Sequence, residues 1–137
     1  MSVLVDFTKR RHSVSKLVVH LVFTTKYRVK LLDNKRLDDI ETGMRRACES
    51  LECEILEFNG ESDHVHVLVQ YPPKLSISVM VNNLKSVSSR YARWLNSDMR
   101  TLSTQGKLWS RSYFASSAGG VTIETLKNYV QSQSRPD

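Results

Sequence analysis

Two histidines separated by a single residue are the pair best suited to chemistry in this sequence. His64 and His66 lie in the segment D-H-V-H-V-L-V-Q, whose alternation predicts a β-strand. Residues two apart in a strand project from the same face of a sheet, so the two imidazoles would lie side by side. They can then share one divalent cation, and the second nitrogen of each ring can bind a partner such as Asp63. The alternative is a pair of solvent-facing histidines without a ligand.

A tyrosine near the C-terminus is the second candidate. Residues 121–133 predict a short helix whose apolar stripe consists of Ile123, Leu126 and Val130. Tyr129 and Gln133 are four residues apart and therefore share one face of that helix. A deprotonated phenolic oxygen can attack phosphorus and form a covalent intermediate, and Gln133 offers a neutral oxygen ligand to a metal. The alternative is that Tyr129 only packs against its neighbours.

The strands that must position the histidines are visible as apolar and β-branched runs. They are predicted at Lys16–Thr25, Cys53–Phe58, Asp63–Gln70 and Leu108–Ser116. The dipeptide Asn59-Gly60 predicts a tight turn between the second and third strands, which would then form an antiparallel hairpin.

Two helices are predicted between these strands from the spacing of apolar residues. One covers about 35–51 and is capped by Asp33 or Asn34, and the other is Ser76–Asn96. The order β-α-β-β-α-β, followed by the terminal helix, predicts an α+β protein of the ferredoxin-like type. In this arrangement two helices cover one face of an antiparallel sheet, and the other face is left free for a site.

Length and charge define the broad class. The chain has 137 residues, which supports one compact domain. The net charge is +6, but residues 33–63 carry a net −6, whereas residues 1–32 and 64–137 each carry +6. A fold that places the acidic segment on one side leaves a positive surface elsewhere, and such a surface suits phosphate backbones. The alternative is a mildly basic domain that binds nothing charged.

Several classes of protein are excluded by composition. No apolar run approaches the roughly 20 residues of a membrane span, and we expect no signal peptide at the N-terminus. Cys48 and Cys53 alone make neither a disulfide framework nor a four-ligand zinc site. We therefore expect a cytoplasmic protein that does not bind membranes. His12 and His20 have no partner at a useful spacing and are interpreted as ordinary surface or core residues.

The motifs taken together resemble a known family. D-H-V-H-V-L-V in a strand and N-Y-V-Q-S-Q in a terminal helix are similar to the single-tyrosine HUH transposases of small bacterial and archaeal insertion sequences. Relatives associated with repetitive extragenic palindromes belong to the same group. The blocks His20–Arg28 and Leu84–Tyr91 also match, so the resemblance covers nearly the whole chain. One departure is E-S-D-H, where the family often has M-P-D-H.

The resemblance implies a site and a division of the chain. His64 and His66 would be metal ligands, Gln133 the third ligand and Tyr129 the nucleophile, with Mg²⁺ or Mn²⁺ as the metal and no nucleotide cofactor. Residues 1–137 would form a single domain. Its parts would be a core at 1–118, a glycine hinge at 119–120, and a helix with its tail at 121–137.

The resemblance also implies partners. The substrate would be single-stranded DNA with a hairpin near each end of the element, and the protein would associate with the nucleoid when bound to DNA. It would be a homodimer whose sheets join across the first strand, with the tyrosine helix of each site supplied by the other subunit. Candidate phosphate contacts are Lys26, Arg28, Lys85, Arg90 and Arg93, and the alternative is a solvated face.

The predicted function is therefore cleavage and rejoining of single-stranded DNA through a 5′-phosphotyrosine. A domesticated relative that processes repetitive palindromes would use the same chemistry. A non-catalytic nucleic-acid-binding module of ferredoxin-like fold is a rival, although the central strands lack the stacking aromatics that such RNA binders use. A metal-dependent hydrolase with water as nucleophile is a third alternative, in which Tyr129 would be dispensable.

Overall fold

The secondary structure follows the predicted order. The computed structural model describes residues 16–99 and 107–117 together with Asn128 and Gln131. The elements in this part of the chain are β1 (Leu17–Thr25), α1 (Asn34–Leu51), β2 (Glu54–Glu61), β3 (His64–Tyr71), α2 (Ile77–Leu95) and β4 (Trp109–Ser117), with a short 3₁₀ turn at Lys26–Arg28. No helix in the described ranges is long and apolar enough to cross a membrane.

Side chains at the helix starts explain where the two helices begin. The Asp33 carboxylate accepts a hydrogen bond from the backbone N–H of Arg36, and the Ser76 hydroxyl accepts one from Val79. Both satisfy donors that have no partner within the helix, which is the stabilising role of an N-cap. The predicted cap at Asp33 and the predicted start of the second helix are confirmed.

The strands form one antiparallel sheet in the order β2-β3-β1-β4. This order, with α1 and α2 packed together on one face, confirms the ferredoxin-like α+β fold. It also shows that the predicted position of the first strand at a subunit edge is wrong. β1 is apolar on both faces because it is an interior strand, paired with β3 on one side and β4 on the other. Among the described strands, the outer ones of the sheet are β2 and β4.

The predicted turn at Asn59-Gly60 is wrong. Both residues lie inside β2, where Asn59 pairs with His66 and Gly60 with Val65. The chain reverses two residues later. A Cβ on Gly60 would approach Leu37 Cδ2 to 2.8 Å and the His64 carbonyl oxygen to 2.9 Å. The glycine therefore serves the close approach of α1 to the strand and not a reversal of the chain.

Alternate residues of the two central strands build the hydrophobic core. Val65, Val67 and Val69 of β3 are buried beside Leu21 and Phe23 of β1. The helices cover them with aliphatic side chains, namely Leu37, Ile40, Met44, Met80, Val81 and Leu84. The residues between these valines in β3 therefore project from the opposite face, where the candidate site lies.

Candidate functional site

The two histidines of β3 lie side by side on the sheet face that is turned away from the helices. Their ring centroids are 5.1 Å apart, and the rings are nearly perpendicular. The register places His66 opposite Val22 and His64 opposite Thr24 of β1. His20 lies on the same face, because its partner in β3 is Leu68. We call the face that carries His20, His64 and His66 the histidine face.

His64 is held by an ion-paired carboxylate. Its Nδ1 lies 2.8 Å from Asp63 Oδ1, and Asp63 Oδ2 accepts from Arg28 Nε at 3.1 Å. Burial alone would raise the pKa of Asp63, but the hydrogen bonds from His64 and Arg28 outweigh it and bring the pKa below its ordinary value. An ionised carboxylate can only accept, so His64 donates from Nδ1, and the tautomer with this single proton presents the lone pair of Nε2.

Arg28 reaches Asp63 from a turn with an unusual backbone. Tyr27 and Arg28 have φ values of 59° and 56°, in the left-handed region that side chains other than glycine seldom adopt. Hydrogen bonds fix this turn to its surroundings: the Thr25 N–H donates to the Asp63 carbonyl and the Lys26 N–H to the Leu108 carbonyl, both at 2.9 Å. Backbone strain of this kind costs about 1–3 kcal/mol per residue and is characteristic of functional sites.

His66 is held by another histidine. Its Nδ1 lies 3.1 Å from His20 Nε2, and the two rings stack with their centroids 5.3 Å apart. Burial lowers the pKa of both imidazoles, and that of His66 falls to about 4 because burial acts together with repulsion from His20 and His64. His20 is thus buried, as a core residue would be, but the expectation that it has no partner in the site is wrong. The contact depends on the β1–β3 register, which spacing along the chain does not reveal.

The donor set fits a divalent cation in part. Nδ1 of each β3 histidine is engaged by a partner, which leaves Nε2 as the nitrogen that a metal would take. Within the described residues no group of three histidine, cysteine or acidic side chains converges on one point, so a further donor must come from elsewhere. The predicted third ligand Gln133 and the predicted nucleophile Tyr129 lie outside the described residues, as do the proposed hinge at 119–120 and most of the terminal segment.

The expectation that this face of the sheet is left free is wrong where His20, His66 and Leu68 lie. His20 and His66 are 7% and 6% exposed, and Leu68 between them is fully buried. Gln131 makes a contact on this face. Gln131 is helical, and its Nε2 donates to Glu57 Oε1 at 2.6 Å. Glu57 pairs with Leu68, so its side chain shares the face of His66. Gln131 therefore meets the sheet on the side of the histidines.

A basic groove lies between α2 and β4. It encloses about 460 Å³, and four cations line it, namely Lys85, Arg93, Lys107 and Arg111. Lys85 Nζ donates to the Arg111 carbonyl at 3.1 Å, and burial lowers the pKa of this amine. Leu108 also lines the groove, and its carbonyl accepts from Lys26. The groove and the turn that supports His64 are therefore joined at one end of the sheet.

The five predicted phosphate contacts do not form one cluster. Lys85 and Arg93 lie in the groove, whereas Arg90 does not line it and donates to Ser86 Oγ. Lys26 and Arg28 belong to the turn after β1, and Arg28 is engaged by Asp63. The predicted contacts did not include Lys107 and Arg111. Lys107 lies just before β4 and Arg111 within it, and both meet α2 only through the tertiary fold.

Comparison with known proteins identifies the family. Residues 13–133 match the family described as IS200-like transposases, so the chain belongs to the IS200-like transposase family. Among curated proteins it is 29% identical to the transposase of insertion sequence element IS200 from Salmonella typhimurium, over 86% of this chain and 77% of that protein. It is 27% identical to the ISDra2 transposase TnpA of Deinococcus radiodurans, over 93% of this chain and 91% of that protein.

Solved structures show the same fold. A crystal structure described as that of a transposase from Deinococcus radiodurans R1 superposes with a TM-score of 0.72 at 26% identity, covering 91% of this chain and 96% of the other. The structure of a REP-associated tyrosine transposase bound to a REP hairpin has a TM-score of 0.59 at 12% identity, covering 88% and 66%. The chain is thus a transposase of ferredoxin-like fold.

Proposed function

We propose that this transposase cleaves and rejoins single-stranded DNA at the ends of an insertion sequence through a covalent bond to Tyr129. The observation that carries the proposal is the pair His64 and His66, whose Nδ1 atoms are both held so that their Nε2 atoms can take one metal. With Gln133 they would complete the three ligands. A bound Mg²⁺ or Mn²⁺ would neutralise charge on the scissile phosphate and help the 3′ oxygen to leave.

The reaction at Tyr129 balances without a nucleotide cofactor. The phenol loses its proton to solvent, its oxygen attacks phosphorus, and the bond from phosphorus to the 3′ oxygen breaks. The leaving oxygen takes up a proton and becomes a free 3′ hydroxyl, while the 5′ side stays attached to the tyrosine. Attack by a 3′ hydroxyl on this phosphotyrosine rejoins the strand and releases Tyr129. The bond energy is conserved between the two steps.

The basic groove is the proposed contact for the DNA backbone. Its four cations line one groove and can neutralise phosphates of a strand that lies in it, and the groove is connected through Leu108 to the turn that supports His64. The shared fold with a transposase that was solved with a REP hairpin supports a hairpin as the ligand. A strand held in the groove would then pass around the end of the sheet towards the histidine face.

Replacing a groove cation should weaken binding in a salt-dependent way. For Lys107→Ala or Arg93→Ala we expect the slope of log affinity against log salt to fall by about 0.7–0.9 per lost phosphate contact. Fluorescence anisotropy with a labelled hairpin at several salt concentrations measures the slope. Lys74→Ala is the matched control, because Lys74 pairs with Glu52 and does not line the groove. An unchanged slope in both groove variants would exclude the groove as the DNA contact.

A homodimer would form through β4 and not through β1. β4 is an outer strand, its residues from Arg111 to Ser117 are exposed, and Tyr113 and Phe114 are 38% and 55% exposed. A long exposed edge with aromatic side chains invites pairing with another strand. Two copies joined antiparallel along β4 would make one continuous sheet.

The tyrosine helix of each site would come either from the chain that supplies the histidines or from the other subunit. The resemblance implies that the helix is exchanged between subunits.

Covalent capture of DNA tests the proposed nucleophile. Labelled single-stranded DNA that carries a hairpin and flanking sequence should form a protein adduct in the presence of Mn²⁺, with the modification on Tyr129. Tyr129→Phe should bind the hairpin normally and form neither adduct nor nicked product. Full cleavage by this variant, or an adduct on Tyr27, Tyr71, Tyr91 or Tyr113, would refute the proposal. Full cleavage would point instead to a hydrolase that uses water.

A mixture of two inactive variants distinguishes the two arrangements of the helix. In dimers of Tyr129→Phe with His66→Ala subunits, docking on the same chain leaves every site with one defect, so the mixture should remain inactive. Exchange between subunits would create one intact site per mixed dimer and restore cleavage. Restored cleavage would therefore disprove docking within one chain.

A further inference from the structure

His20 has a contact that neither its position in the sequence nor the proposed reaction explains. Its Nε2 lies 3.1 Å from Nδ1 of His66, and both side chains are buried. The rings are stacked at an interplanar angle of 18°, and Phe114 of β4 packs edge-on against His20 at 6.2 Å between ring centroids. The pair is thus fixed by packing as well as by the hydrogen bond.

The distance between the two nitrogens restricts where the protons lie. A contact of this length needs one N–H and one lone pair, because two N–H groups or two lone pairs would repel each other. With both imidazoles neutral, two arrangements remain. In the first, His66 carries its proton on Nδ1 and presents a lone pair on Nε2. In the second, His20 donates from Nε2, and the proton of neutral His66 lies on its own Nε2, where it blocks metal binding.

The neighbouring histidine shows which arrangement the site requires. Asp63 forces the first arrangement on His64, because a carboxylate can only accept. Two ligands that share one cation must both present Nε2 as a lone pair. Building on the proposed function, we infer that His20 is a positioning residue that accepts the Nδ1 proton of His66 and so leaves Nε2 of His66 unprotonated, which is the form that a metal ligand needs.

This assignment distinguishes His20 from a residue that only fills space. His20 then carries its own proton on Nδ1, and it acts on the metal through His66 without touching substrate. Partners of this kind typically contribute a factor of 10 to 100 in metal affinity. A side-chain amide that accepts a hydrogen bond at the position of Nε2 should therefore retain the function of His20. An amide that ends one bond earlier should not retain it.

Glutamine and asparagine make the matched pair of variants. The terminal amide of glutamine lies near the position of the imidazole Nε2, and that of asparagine lies near Nδ1. By calorimetric titration with Mn²⁺, we expect His20→Gln to bind within about threefold of the wild type and His20→Asn to bind about 10- to 100-fold more weakly. Equal affinities for the two variants would overturn the inference, and far-UV circular dichroism verifies that both are folded.

The ring protons can be located without any metal. In ¹⁵N-labelled wild-type protein free of metal, two-bond nitrogen–proton correlation spectra should show His66 protonated on Nδ1 and His20 protonated on Nδ1. A proton on Nε2 of His66 would overturn the inference, whatever the variants do. If the spectra show the expected tautomers but the wild type binds no Mn²⁺, the inferred role of His20 in setting the His66 tautomer stands, and the proposed metal-dependent function fails.

Discussion

The two faces of β3 differ in what holds their side chains. Val65, Val67 and Val69 lie against the helices in a purely apolar environment, whereas His64 and His66 are held by hydrogen bonds to Asp63 and His20. Strand periodicity alone separates the two sets. One strand therefore supplies stability through one face and chemistry through the other. Substitution of a valine should therefore leave the chemistry nearly unchanged, and substitution of a histidine should leave the stability nearly unchanged.

Removing a histidine should produce the largest effect on activity. His66→Ala is expected to lower the cleavage rate more than about a hundredfold, because metal activation of a phosphodiester is worth several kcal/mol. Binding of a labelled hairpin should persist, since the groove cations lie elsewhere. Gel assays of nicked product, with anisotropy for binding, measure both properties. Loss of binding together with cleavage would show that His66 is structural.

Acidic pH should lower the free energy of unfolding through protonation of His66. Burial and nearby imidazoles lower the pKa of His66 to about 4, against about 6.5 in the unfolded chain. As the pH falls, the unfolded chain takes up a proton on His66 before the folded protein does. The stability that comes from keeping His66 neutral is therefore fully present above pH 6.5. It falls as the pH decreases from 6.5 to 4, by on the order of 2 kcal/mol.

Comparison with a variant isolates this pH effect. The difference in the free energy of unfolding between wild type and His66→Gln, measured by urea denaturation at several pH values, cancels the other titrating groups. That difference should shift against the wild type as the pH falls. A constant difference between pH 7 and pH 4 would contradict the burial of a neutral His66.

Substitution of a valine on the helix-covered face of β3 should change the stability of the protein and not its affinity for metal. Val67→Ala removes two methyl groups from a fully buried position and should lower the free energy of unfolding by about 2 kcal/mol. The affinity of the folded protein for Mn²⁺ should change by less than about twofold. Urea denaturation and calorimetry measure the two quantities. A tenfold loss of metal affinity would show that the faces are coupled.

Weakening the support of His64 should give the smallest effect. Asp63→Asn is expected to reduce Mn²⁺ affinity about tenfold, since the amide no longer dictates the His64 tautomer. Arg28→Met, which removes only the partner of Asp63, should cost about threefold, because Arg28 is largely exposed and its ion pair is screened. Calorimetric titration checks both values. A larger loss for Arg28→Met than for Asp63→Asn would mean that Arg28 acts directly on the ligand.

Local signals made the elements predictable. The helix caps at Asp33 and Ser76, the apolar periodicity between them and the alternation around His64 are properties of short segments, and the structure contains them nearly as expected. The prediction of a turn at Asn59-Gly60 was wrong because a glycine required for close packing has the same local signature as a glycine required for a reversal of the chain. The prediction that the first strand joins two subunits was wrong for a similar reason, since apolar residues on both faces suit an interior strand as well as a subunit edge.

The sequence alone determines that His64 and His66 share one face of a strand and that Asp63 lies beside them, because strand geometry fixes which neighbours share a face. The partner of His66 does not. His20 lies 46 residues away, and only the antiparallel register of β1 against β3 brings its Nε2 to His66. The groove likewise exists only where α2 meets β4. Contacts between distant segments depend on register and packing of the whole sheet, which no short pattern encodes.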